Sequence, residues 1–106
     1  MRRAVLAALA LAAGAACGRG APPPRTHAVE IRNFAYVPAE VAATPGDTIV
    51  WTNRDAVPHT ATAGSRAWDT GNIAAGESGR VVVPEGAEGE YVCAYHPNMR
   101  ARLTDR

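Results

Sequence analysis

The stretch CAYHPNM places Cys93, His96 and Met99 at regular three-residue steps. A thiolate, an imidazole nitrogen and a thioether form a soft, mixed donor set. They supply three of the four ligands of a blue-copper site, in which two histidines and a cysteine bind strongly and a methionine stands off as a weak axial donor. The missing donor is a second histidine from a neighbouring segment. The chain has two others, His27 near its start and His59 in NRDAVPHTATA. His59 is the better fourth ligand, because it falls between two strand-like stretches whose loop can meet the Cys93 loop.

Scarcity strengthens this grouping. Apart from the initiator, Met99 is the only methionine, and Cys93 is the only cysteine beyond the N-terminal segment. A buried strand cysteine, a surface histidine and a core methionine are each ordinary alone. Their coincidence in one short loop argues against three unrelated roles. Other chemistries fit less well. Structural zinc takes four Cys or His ligands, and covalent haem needs a second cysteine in C-x-x-C-H. A Cys93 nucleophile paired with His96 would need an orienting group and a pocket that no motif supplies. A site closed by four protein ligands has no open position for substrate, which argues against an enzyme.

These residues must be held by strands. HAVEIRNF alternates, with Val29 and Ile31 on one face. Pro45-Gly46 reads as a type II turn, after which DTIVWTN resumes with Ile49 and Trp51 together. EVAAT, HTATA, RVVVP, EYVCAY and RARLT are further short strands, separated by Gly- and Pro-rich turns. A few helical turns are the alternative for residues 66–76. The pattern predicts an all-β sandwich or small barrel. Trp51 and Trp68 read as core, Arg54 and Asp55 as a solvated turn, and His27 as a solvated residue.

With these residues in view, the chain resembles the cupredoxins over residues 29 to 104. NFAYVPAEVAATPGDTIVWTNRDAVPHTATA is similar to the first ligand region of amicyanin- and plastocyanin-like proteins, and EYVCAYHPNM to their ligand loop, with the short C-x-x-H-x-x-M spacing of amicyanins. The resemblance implies a Greek-key β-sandwich of seven to eight strands, one copper ion per chain and single-electron transfer. It implies His59, Cys93 and His96 as strong ligands and Met99 as the axial one. It also implies a monomer and a transient redox partner, docking on an apolar patch around His96 formed by Val57, Pro58, Ala94 and Pro97. Copper handling or delivery is the second reading of the same ligands. Two residues depart from the family pattern. Thr60 stands where Asn often follows the first ligand histidine, and its hydroxyl is expected to take over part of the task of tying the ligand loops. Ala101 stands where Gly is common.

The N-terminus carries a separate message. Arg2 and Arg3 precede an apolar run from Ala4 to Ala13, too short to span a bilayer. Residues 1–16 therefore read as an export signal. GAAC resembles a lipobox, which implies lipidation of Cys17; ordinary cleavage after Ala15 or Ala16 is the alternative. The Pro- and Gly-rich residues 17–27 read as a flexible tether and 28–106 as the folded domain. The expected location is periplasmic or on the outer face of a bacterial membrane. All 11 basic residues are Arg and balance 10 acids, with no basic stripe for nucleic acid.

Overall fold

A computed structural model describes residues 22–106. The proposed export signal and Cys17 lie outside the described residues. Eight strands follow one another: β1 (Thr26–Arg32), β2 (Ala35–Val37), β3 (Glu40–Ala42), β4 (Thr48–Asn53), β5 (Thr62–Ala63), β6 (Ser78–Val82), β7 (Gly89–Val92) and β8 (Arg100–Thr104). No helix occurs among the described residues, so the 66–76 segment is turn and bridge. One sheet has the order β2-β1-β4-β6 and the other β3-β8-β7-β5. The β1–β4 and β3–β8 pairs are parallel and the rest antiparallel.

Alternation decides which side chains enter the space between the sheets. Val29 and Ile31 of β1, Ile49 and Trp51 of β4, and Tyr91 and Leu103 of the facing sheet are all buried there. Trp68 stacks on Trp51, with centroids 5.6 Å apart, and donates its indole N–H to the Ala87 carbonyl. Trp51 Nε1 donates across the sandwich to Tyr91 Oη at 3.2 Å. Burial pushes the Tyr91 phenol up to about 12, against a smaller lowering effect of the Trp51 hydrogen bond. Both tryptophans are core residues, as their pattern suggests.

The Pro45-Gly46 turn forms as expected. Gly46 takes a φ of +97°, and the Asp47 N–H donates to the Thr44 carbonyl. Here the structure corrects one expectation. His27 is a paired residue of β1, opposite Ile49, with its ring 2.9 Å from the buried Asp47 carboxylate. The Asp47 carboxylate also accepts the backbone N–H groups of Arg25 and Thr44 and meets the Arg106 guanidinium. A buried carboxylate needs that many donors, and it recruits His27 into the strand.

Candidate metal centre

The end of the sandwich opposite Asp47 gathers the chemistry. Cys93 directly follows β7 and is fully buried. From there the chain makes two consecutive tight turns. His96 N–H donates to the Cys93 carbonyl at 3.2 Å, and Met99 N–H to the His96 carbonyl at 2.8 Å. Cys93 N–H then donates to the Met99 carbonyl, closing the loop where β8 begins. The three-residue spacing read from the sequence is therefore a spacing of turns. It brings Cys93, His96 and the buried Met99 into one loop.

His59 arrives from the other side. Its backbone pairs in both directions with Ile73, which fixes a residue outside any long strand. Upstream, the buried Asn53 shapes the loop. Its amide donates to the Val57 and Ile73 carbonyls, and its carbonyl oxygen accepts the Asp55 N–H. The His59 side chain is fully buried. Its Nε2 lies 2.8 Å from Asp55 Oδ2. A carboxylate only accepts, so Nε2 carries the proton and Nδ1 keeps its lone pair for the centre.

The donors converge. Cys93 Sγ lies 3.7 Å from His59 Nδ1 and 3.7 Å from His96 Nδ1. All three ligand atoms lie within 4.8 Å of one another. Bonds of roughly 2.0–2.1 Å to nitrogen and 2.3 Å to sulfur, as in zinc sites, meeting at about 110–120°, set sulfur and nitrogen about 3.6–3.8 Å apart. The donor set thus fits a single ion. One thiolate and two imidazoles suit copper, and the softness of sulfur favours its Cu(I) state. Thr60 borders the sulfur. Its backbone N–H points at Cys93 Sγ at 3.4 Å, and its hydroxyl accepts the Ala94 N–H at 2.8 Å. The expected tie between the two loops is present.

Asp55 is the residue that sequence reasoning missed. It is not a solvated turn residue: its side chain is 11% exposed and takes three donors. Asn33 N–H meets Oδ1 at 2.7 Å, and Phe34 N–H meets Oδ2 at 2.9 Å beside His59. Desolvation pushes this carboxyl up, but the hydrogen bonds from Phe34, His59 and Asn33 outweigh it and hold its pKa below the ordinary value. The signal in the sequence was an acid four residues before the ligand histidine. Phe34 was also missed. Its ring stands edge-on to both imidazoles, 5.1 Å from His59 and 5.0 Å from His96. On the outer side, Tyr95 Oη donates to Asn72 Oδ1, bracing the ligand loop against the segment that pairs with His59.

Fold and site together define a β-sandwich protein with one cluster of donors, fit for a single ion, between the loops at one end. The cupredoxin-like domain model matches residues 3–104. The chain belongs to that family. It is similar to a reduced Cu(I) form of an amicyanin variant at pH 4, with 22% identity and a TM-score of 0.66 over 84% of this chain and 88% of that one. It is also similar to a purple cupredoxin from Nitrosopumilus maritimus (22%, TM-score 0.65, covering 76% and 99%). Amicyanin from Paracoccus versutus matches at 22% and a TM-score of 0.62, covering 76% and 81%. At these identities the likeness is one of fold. Comparison with curated proteins gives no match.

Proposed function

We propose that this protein is a small exported carrier of single electrons, with one copper ion held by His59, Cys93 and His96 and by Met99 as the weak axial donor. The observation that carries the reading is the convergence of one buried thiol and two imidazole Nδ1 atoms at 3.7 Å. Copper supplies a one-electron couple between Cu(I) and Cu(II). The protein holds the donors in one arrangement for both states. His59 is fixed by Asp55, and Cys93 directly follows Val92, which pairs with both β5 and β8. Small rearrangement between states is what a fast carrier needs.

His96 is the half-buried ligand and faces the outer rim. The exposed Phe34 packs edge-on against it and Tyr95 and Pro97 flank it in the chain; with Ala94 and with Val57 and Pro58 before His59 they would make up an apolar rim. This apolar rim suits a brief docking of a redox partner over a small interface. Sequence supports the remainder of the reading: export through residues 1–16, a lipid anchor on Cys17, a tether, and a monomeric domain outside the cytoplasmic membrane. The four-donor set favours electron transfer over copper delivery, because it constrains both oxidation states and leaves no exchange position.

Copper titration tests this. One equivalent should give an intense visible sulfur-to-copper band, and Cys93→Ser should abolish it. A colourless protein that passes Cu(I) to a chelator would support copper delivery instead.

A further inference from the structure

Asp55 accepts three hydrogen bonds, from Asn33 N–H, Phe34 N–H and His59. His96, unlike His59, has no carboxylate or carbonyl on its second ring nitrogen among the described residues. Its orientation rests on packing. The packing partners are His59, with ring centroids 5.2 Å apart, and Phe34 at 5.0 Å. Phe34 in turn is not held by burial, since it is 48% exposed. Its backbone is in the left-handed region, φ +58°, next to Asn33 at +52°, a conformation that an aromatic residue adopts only when its surroundings enforce it. The enforcement is visible: both backbone N–H groups of this two-residue turn end on the Asp55 carboxylate.

We propose that Asp55 is a positioning residue for both histidine ligands, acting directly on His59 and, through the turn that seats the Phe34 ring, on His96, which it does not touch. The inference rests on the metal reading above and extends it. One carboxylate sets the tautomer of the buried ligand. It also holds the aromatic edge that keeps the half-buried His96 from swinging away from Cys93.

The test has a metal-free and a loaded arm. In metal-free protein labelled at histidine, ring relaxation should show His96 rigid in the wild type. In Asp55→Asn and in Phe34→Leu its order parameter should fall into the flexible range, below about 0.6. Phe34→Tyr should restore the rigid value. With copper, Asp55→Asn and Phe34→Leu should each raise the dissociation constant by ~10–100-fold. The double variant should be no worse than Asp55→Asn alone, because the Phe34 route is contained in the Asp55 effect. Phe34 is at the surface, so its variants fold even if Asp55→Asn does not. An unchanged His96 order parameter in Phe34→Leu, or fully multiplicative losses in the double variant, would overturn the proposal. Wild-type protein that binds no copper while His96 still loosens in the variants would remove the carrier reading and leave the positioning role standing.

Discussion

The backbone N–H of Thr60 points at the sulfur of Cys93 across 3.4 Å, while the hydroxyl of the same residue accepts the N–H of Ala94. One residue thus meets the sulfur and ties its loop to the His59 segment. Thr60→Val keeps the shape and the backbone donor but removes the hydroxyl. It should keep the visible band and cost about 2 kcal/mol of stability in the metal-free protein, about 1 kcal/mol for each of the two hydrogen bonds the hydroxyl makes, with Ala94 N–H and Thr62 Oγ1. Denaturant unfolding measures it, and Thr60→Ser should recover most of the loss.

Met99 closes the ligand loop and is buried. Met99→Leu fills nearly the same volume, so folding should change by less than about 1.5 kcal/mol. The blue colour should persist because the thiolate remains. The reduction potential should rise, since a donor that helps stabilise Cu(II) is gone. Voltammetry beside the visible spectrum checks both. A fall in potential would remove Met99 from the ligand set.

Pro97 follows the half-buried His96. Pro97→Glu places a charge on the apolar rim without touching a donor. Electron exchange with a small redox protein should slow on the order of tenfold, equivalent to about 1.4 kcal/mol lost from the encounter, with the spectrum unaltered. An unaltered rate would mean that electrons leave elsewhere.

Gly79 lies in β6, where an added Cβ would come within 2.9 Å of Ile73 Cγ1 and 3.2 Å of Thr70 Cβ. Ile73 is buried and pairs with His59. Gly79→Ala should therefore destabilise by about 1–3 kcal/mol and disturb the ligand through its partner. Ile73→Ala, introduced second, removes Cγ1 and the Cδ1 that lies 3.0 Å from the added Cβ, so the two losses in thermal melts should be less than additive.

Asp47 binds its donors at the opposite end. Hydrogen bonds from Arg25 N–H, His27 and Thr44 N–H, together with the Arg106 charge, outweigh burial and hold its carboxyl well below the usual range. A carboxylate with a depressed folded pKa contributes stability above its unfolded value near 4, and that contribution is lost as pH falls through and below it. Asp47→Asn should lower the melting temperature by several degrees at neutral pH. The gap to wild type should close as the pH is taken below about 4. A gap that widened in acid would refute the assignment.

The grouping of Cys93, His96 and Met99 was legible in the sequence because their types are scarce and their loop is local: three residues in two turns need no long-range information. The inward faces of β1 and β4 were legible for a similar reason, since alternation fixes them. Strand β2 was not, because three residues with one buried tyrosine carry no periodicity. Asp55 and His27 were misread for one shared reason. Each owes its place to partners far along the chain: Asp55 to Asn33 and Phe34, His27 to Asp47. A polar residue in a turn looks solvated until the backbone groups that converge on it are known. Thr60 lay between these cases, since the family pattern pointed to its task and only the fold supplied the Ala94 N–H.

Strand β1 enters beside Asp47 and runs the length of the sandwich before delivering Asn33 and Phe34 to Asp55. Its seven residues cover about 20 Å. The domain is therefore polarised, with the start of its described chain beside Asp47 at one pole and the His59, Cys93 and His96 trio at the other. If the carrier reading holds, protein fixed to a bead or an electrode through Pro22 would present His96 outward and exchange electrons with a dissolved partner as fast as free protein. The same protein fixed through Tyr95 would hide its contact against the support.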